Sequence, residues 1–427
     1  MSKLLIRGGR LIDPANGRDG LLDLLVEDGV VREVASAIDA PDAQVVSAEG
    51  RLVLPGLVDI HCHLREPGYE YKEDIASGAR SAARGGFTGI CCMANTSPVN
   101  DNADVTAFIR KKAEEVGVGV RVYPVGAVTM GLEGLALTDF AGLKAAGAVA
   151  LSDDGRPVTD SGLFRRALEQ AQAVGLLLLS HCEDLALVNG GVMNEGEASA
   201  RAGLPGSIRA AEEVMIARDM LVAEALGARV HICHVSTKGG VQLIREAKAR
   251  GARVTAETAP HYLAATDAWV ERRGTLTRVN PPLRTEGDRL ACIYGLLDGT
   301  LDCIATDHAP HHANEKATDY PSAASGISGF ETAFAICWTH LVENGYMGPD
   351  QLVELMTRAP ARLLGLPAGS LAVGAAADIT IADPNERWTV DAAAFASKGK
   401  NTPFSGETYT GRIRETYVAG RQIYKEA

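Results

Sequence analysis

Eight times in the middle of the chain, a short apolar run ends in polar residues and a helical stretch follows. The runs end near His61–His63, Asn95, Val128, Asp153, His181, His234, Glu257 and Asp307. Helical patterns, such as those over 162–174 and 210–226, lie between them. Strands that alternate with helices pair in parallel, because parallel neighbours need a long crossover. Eight such units close into a barrel. The expected fold class is therefore α/β, with a (β/α)8 barrel over residues 56–364.

The ends of the chain follow another pattern. Leu4-Leu5-Ile6, 22–26 and 30–34 are short apolar runs, punctuated by Gly8-Gly9, Asn16-Gly17 and Asp28-Gly29 as turns. Residues 377–381 and 416–424 look alike. The simplest arrangement is one small β-sandwich built from 1–55 and 365–427, with the barrel inserted between its halves. A chain of 427 residues suits one large barrel and a small companion.

With 46% hydrophobic and 22% charged residues, the chain has ample apolar surface to bury, which excludes a disordered reading. A net charge of -12 argues against nucleic-acid binding, which needs Lys and Arg against phosphates. No apolar run approaches the ~20 residues of a membrane helix. The first apolar residues give way at once to Arg7-Gly8-Gly9, unlike a secretory leader. The eight cysteines form no C-x-x-C pair and read as reduced thiols, so the expected setting is cytoplasmic.

Chemistry concentrates at the strand ends. In Val58-Asp59-Ile60-His61-Cys62-His63, alternation points His61 and His63 the same way, roughly 7 Å apart. Two imidazoles on one face suit a divalent metal. Alone, they equally suit two rim histidines with hydrogen-bond partners. Apolar runs also end in His181, His234, Asp153 and Asp307. All barrel strand ends meet at one rim, so His61, His63, Asp153, His181, His234 and Asp307 would converge there. His231 lies three residues before His234 and is expected to face the other way, packing between barrel and helices.

At these residues the chain resembles the dihydroorotases of the amidohydrolase superfamily. The resemblance is carried by His61-Cys62-His63-Leu64-Arg65-Glu66-Pro67-Gly68, Met93-Ala94-Asn95-Thr96, Asp153-Asp154-Gly155, 278–284 and Thr306-Asp307-His308-Ala309-Pro310-His311. The tail segment 369–374 also recurs in that superfamily. The resemblance implies a zinc site of two ions per subunit. His61, His63 and Asp307 would hold one ion, and His181 and His234 the other. Where many members bridge the two with a carboxylated lysine, Asp153 is the expected bridge. It further implies Asp307 as catalytic acid and base, and Arg65, Asn95, Asn280 and His311 as substrate contacts. Asn95, Asn280 and His311 each also suit a loop-capping or surface role.

The implied reaction is the reversible cyclisation of N-carbamoyl-L-aspartate to (S)-dihydroorotate plus water, the third step of pyrimidine synthesis. Zinc lowers the pKa of water from ~16 to about 7, so a nucleophile is available for the amide. An arginine fork matches a substrate carboxylate, which makes Arg65 the specificity clue. Residues 310–327 read either as a lid or as a plain surface loop. The resemblance also implies a homo-oligomer and names aspartate carbamoyltransferase as a candidate partner. Two other readings compete. A hydantoinase, dihydropyrimidinase or allantoinase would have the bridging lysine and little use for Arg65. A non-catalytic scaffold of the transferase would tend to lose metal ligands.

Overall fold

In a computed structural model, which describes residues 3–426, the chain opens with five strands. They are β1 (Lys3–Asp13), β2 (Arg18–Glu27), β3 (Val30–Ala35), β4 (Gln44–Ser47) and β5 (Leu52–Pro55). Next come β6 (Leu57–Cys62), β7 (Phe87–Cys92), β8 (Arg121–Gly126), β9 (Ala150–Leu151) and β10 (Leu177–Ser180). A pair of two-residue strands, β11 (Met193–Asn194) and β12 (Gly206–Ser207), lies in the connection that follows β10. The chain continues through β13 (Val230–Ile232), β14 (Val254–Thr258) and β15 (Cys303–Ile304). It closes with β16 (Ile379–Thr389), β17 (Thr408–Val418) and β18 (Arg421–Lys425).

Strands β6 to β10 and β13 to β15 make one eight-stranded parallel sheet. A parallel bridge from Cys62 to His308 brings the last strand round to the first, and His63 N donates to His308 O at 2.8 Å. This is the expected (β/α)8 barrel. The second sheet runs β18-β17-β16-β5-β1-β2-β3, with β4 beside β1, so both ends of the chain share it.

The crossover helices follow from local rules. Helix Ser161–Val174 begins at Asp160, whose carboxylate accepts from Leu163 N, and ends at Gly175 in the left-handed conformation. Its buried Leu163, Phe164, Ala167, Leu168 and Ala171 recur at helical spacing and face the strands. Alternation along the strands then separates two cores. Leu57, Leu151, Leu178, Val230 and Ile232 join the layer under the helices. Val58, Ile60, Cys91, Val125, Ala150, Leu179, Cys233 and Cys303 fill the barrel interior, closed below by Ala359, Ala361 and Leu363. Truncating a filler such as Ile60 to alanine would cost about 2–5 kcal/mol.

This alternation corrects the expectation for His231. Its neighbours Val230 and Ile232 face the helices, so His231 points into the barrel, where Nδ1 lies 2.9 Å from Thr255 Oγ1 and Nε2 lies 3.3 Å from Glu257 Oε2. The terminal sheet is fastened to the barrel by Thr380 Oγ1 donating to Gly86 O and Thr416 Oγ1 donating to Ala83 O, both at 2.7 Å. Among the described residues, no helix is long and apolar enough to cross a membrane.

Candidate active site

The rim where the strands end gathers four histidines and two carboxylates. β6 loses regular register between Asp59 and Cys62. There Asp59 turns to accept from Thr306 N at 2.8 Å and from Thr306 Oγ1 at 2.7 Å, which ties the first strand to the last. His61 Nδ1 is 2.7 Å from Glu257 Oε1, and its Nε2 faces the cluster with no hydrogen-bond partner. His63 Nδ1 is 2.9 Å from Asn95 Oδ1, so its Nε2 also turns inward. His181 lies between Glu183, 3.5 Å from Nε2, and His234 Nε2, 2.8 Å from Nδ1. Asp307 Oδ1 lies 3.2 Å from His63 Nε2 and 3.7 Å from His61 Nε2.

The carboxylate at the centre is Asp154, not Asp153. Asp154 Oδ1 lies 3.3 Å from His61 Nε2, 3.3 Å from His181 Nδ1 and 3.5 Å from His234 Nε2, while Oδ2 lies 3.4 Å from His63 Nε2. Asp153 accepts instead from Val128 N at 2.7 Å, Thr129 N at 3.0 Å and the Thr129 hydroxyl. The reason is parity. Ala150 faces the barrel interior and Leu151 faces the helices, so the interior side returns at Ser152 and Asp154.

Electrostatics favours a cation here. Burial opposes charge on Asp154, but His61, His181 and His234 outweigh it and hold the carboxyl well below the usual range. Burial likewise opposes charge on His181, yet Asp154 and Glu183 push it up to about 10. A buried anion cluster that draws protons onto its histidines is a site short of positive charge. Two of its atoms, His61 Nε2 and Asp154 Oδ1, are buried without hydrogen-bond partners. The sets His61–His63–Asp307 and His61–Asp154–His234 each bring their ligand atoms within 4.8 Å of one another. Imidazole and carboxylate donors so placed fit a divalent metal.

Three residues of the site hold left-handed backbone that L side chains rarely adopt: Arg65 at φ 63°, His234 at φ 35° and Asp307 at φ 45°. Each costs about 1–3 kcal/mol, offset by the surrounding fold. Each re-aims a side chain just past a strand end.

The cluster forms one wall of a cavity of about 210 Å³, with Arg65, Asn95, Asn280, His311 and Gly326 on its other walls. Arg65 is half-buried; its Nε donates to Pro310 O at 3.2 Å, and Nη2 lies 3.2 Å from His311 Nε2. Neither contact is a carboxylate. Burial and the nearby Arg65 charge push His311 down to about 3, so its imidazole is neutral. Asn280 Oδ1 accepts from Arg278 Nη1 at 3.3 Å.

From the 310–327 segment, His311, Ser325 and Gly326 line this cavity, and the segment is tied to the C-terminal part of the chain. Asn401 Oδ1 accepts from His311 N at 2.8 Å, and Asn401 Nδ2 donates to Ala309 O at 3.0 Å and Gly326 O at 2.9 Å. Gly326 has no room for a side chain, since a Cβ would lie 2.4 Å from Ala309 O. Sequence reasoning missed Asp154, Glu183, Glu257 and Asn401 as site residues. Parity counted from Ala150 would have found Asp154. Nothing local in the sequence marks Asn401, whose partners lie 75 to 92 residues away.

Comparison with known proteins shows the family and the fold. A family described as dihydro-orotase-like matches residues 50–240, and one described as amidohydrolase matches residues 329–424. A dihydroorotase of Syntrophus aciditrophicus is 52% identical over 426 residues, covering 99% of this chain and 100% of its own length. A dihydroorotase of Acetivibrio thermocellus is 51% identical over 423 residues, covering 99% of each. Among solved structures, the L-hydantoinase (dihydropyrimidinase) from Arthrobacter aurescens superimposes with a TM-score of 0.90 at 28% identity, covering 100% of this chain and 97% of its own. At about half identity over its full length with these relatives, the chain belongs to the dihydroorotase family of the amidohydrolase superfamily.

Proposed function

We propose that this chain is a dihydroorotase, a zinc enzyme with two ions per subunit that interconverts N-carbamoyl-L-aspartate and (S)-dihydroorotate. The observation that carries the reading is the pairing, across one small cavity, of a six-residue His/Asp cluster with a half-buried arginine that, among the described residues, contacts Pro310 O and His311 rather than a carboxylate. His61, His63 and Asp307 would hold one ion and His181 and His234 the other, with Asp154 between them. When bound, the ions lower the pKa of a water molecule and polarise the amide carbonyl.

The chain's own residues supply the rest. Burial disfavours the ionised form of Asp307, but His63 and His61 overcome it, so the carboxylate is ready to accept a proton. As the water oxygen bonds to the ring carbonyl carbon, Asp307 takes the water's proton. As the carbon–nitrogen bond breaks, Asp307 returns that proton to the leaving nitrogen. Ring closure runs the same transfers backwards. Arg65 would pair with the carboxylate that stays ionised in both compounds. Asn95, Asn280 and neutral His311 line the remaining walls as hydrogen-bonding groups.

The test is turnover of dihydroorotate by the purified protein before and after chelation, with zinc added back. Activity lost on chelation and restored by zinc is the expected result. The likeness to an L-hydantoinase makes dihydrouracil, hydantoin and allantoin the necessary controls. Their turnover in preference to dihydroorotate would move the chain to that branch. A cytoplasmic setting rests on reading the eight cysteines as reduced thiols, and a homo-oligomeric state and an aspartate carbamoyltransferase partner rest on the family resemblance. Size exclusion of the protein, alone and mixed with the transferase, tests the last two.

A further inference from the structure

Beneath the rim, the barrel interior holds polar groups that the reaction does not use. Glu257 and His231 project inward from β14 and β13, and both are essentially unexposed. Glu257 Oε1 lies 2.7 Å from His61 Nδ1, and Glu257 Oε2 lies 3.3 Å from His231 Nε2. On its far side, His231 Nδ1 lies 2.9 Å from Thr255 Oγ1. Neither Glu257 Oε2 nor His231 Nε2 has an aligned hydrogen-bond partner, so each is the polar group nearest to satisfying the other.

We propose that Thr255, His231 and Glu257 form a buried positioning relay that fixes the tautomer and angle of His61, and so sets how tightly the His61 site holds its metal. The proton accounting runs one way. The Thr255 hydroxyl donates to His231 Nδ1, so the His231 proton sits on Nε2 and points at Glu257. The Glu257 carboxylate can only accept, so the His61 proton sits on Nδ1. His61 Nε2 is then a lone pair aimed into the cluster, the form a metal requires. A carboxylate behind a ligating imidazole also raises its basicity. Because the relay is buried, Glu257 keeps its charge at full strength beside the site.

Two neighbouring sets, His231–Glu257–Cys303 and His61–Cys233–Glu257, also have metal-type donors within reach of one another. Both sets draw on Glu257, whose Oε1 is already held by His61 Nδ1 at 2.7 Å and whose Oε2 faces His231 Nε2 at 3.3 Å. A positioning role fits this chemistry better than another ion.

The inference rests on the His61 site binding metal, not on the identity of the substrate. Apo protein is titrated with Co²⁺ against a chromophoric chelator, and the visible absorption of bound Co²⁺ is recorded for each variant. Thermal melts of the apo forms report on folding. Glu257→Gln should weaken one equivalent by ~10–100-fold and alter its absorption. His231→Leu should weaken the same equivalent less, and His231→Gln, which keeps an N–H donor, should recover most of that loss. The His231 pair carries the test if Glu257→Gln does not fold. Wild-type affinity in Glu257→Gln and His231→Leu, with only their melting temperatures lowered, overturns the relay. So does a third equivalent of metal that disappears in Cys303→Ser. A wild type that binds no metal overturns both the relay and the metal reading. Weakened metal binding in a protein that ignores dihydroorotate keeps the relay and removes the function.

Discussion

Asp153 and Asp154 are adjacent in the chain yet serve different neighbours: Asp153 accepts from Val128 N and Thr129 N, whereas Asp154 Oδ1 lies 3.3 Å from both His61 Nε2 and His181 Nδ1. Their substitutions should therefore separate. Asp154→Asn removes the negative charge at the centre of the cluster and should lower metal content and turnover by ~100-fold or more. Asp153→Ala leaves buried backbone N–H groups unpaired and should cost about 1–3 kcal/mol of stability, with metal retained. Elemental analysis and thermal melts of the two variants check this. The reverse pattern would return the central role to Asp153.

Arg65 lies across the cavity from the cluster, with Pro310 O and His311 as its partners among the described residues. Loss of a charge-assisted pair with a substrate carboxylate is worth about 1.5–3 kcal/mol, or ~10–100-fold in binding. Arg65→Met should raise KM for dihydroorotate by that factor while metal content stays the same. Arg65→Lys should recover little, because an ammonium lacks the planar fork. Steady-state kinetics with dihydroorotate and dihydrouracil side by side make the check. Equal losses on both rings would mean that Arg65 does not read the carboxylate.

The barrel was legible because eight apolar runs ending in polar residues need no long-range information. The His61–His63 pair was legible because strand parity is local. Parity failed where it was carried across a break. β13 ends at Ile232, and His234 follows with left-handed φ, so His234 does not predict the side of His231. His231 faces the interior with Cys233, and the backbone turn brings His234 to the rim as well. Asp153 ends the apolar run, but the interior side set by Ala150 returns at Asp154. Glu257 was visible as a strand end, but its partners, His61 and His231, come from two other strands.

Asn401 holds the 310–327 segment by three hydrogen bonds to His311 N, Ala309 O and Gly326 O. All three of those partners line the cavity. Asn401→Ala should loosen the segment without touching the cluster. The expected outcome is a several-fold rise in KM, metal content unchanged, and faster hydrogen exchange over residues 309–327. An unchanged exchange pattern would show that the segment is held elsewhere.

Charge balance fixes the equilibrium. Carbamoyl aspartate carries two carboxylates and dihydroorotate one, so ring closure takes up one proton. The ratio of dihydroorotate to carbamoyl aspartate should fall about tenfold per pH unit. Equilibrium mixtures approached from both sides between pH 6 and 9 measure it. A ratio that holds constant would mean that a different bond is being made.

Lys316 gives the 310–327 segment its own response to pH. It is 5% exposed, and its Nζ donates to Thr275 O at 3.2 Å and Arg278 O at 2.9 Å, with no carboxylate in either contact. Burial, helped by the Arg278 charge, pushes its pKa down to about 7. An unfolded lysine titrates near 10.4, so between the two values the unfolded chain holds the extra proton. The neutral amine therefore stabilises the fold as pH rises from about 7 towards 10, and that contribution is lost as pH falls through 7. Lys316→Met has no such titration. The melting temperature of the wild type should gain on that of Lys316→Met between pH 7 and 10, and the difference should be flat below pH 6. Parallel curves across the whole range would mean that Lys316 keeps its proton in the folded chain, with the two carbonyls sufficient to hold the charge.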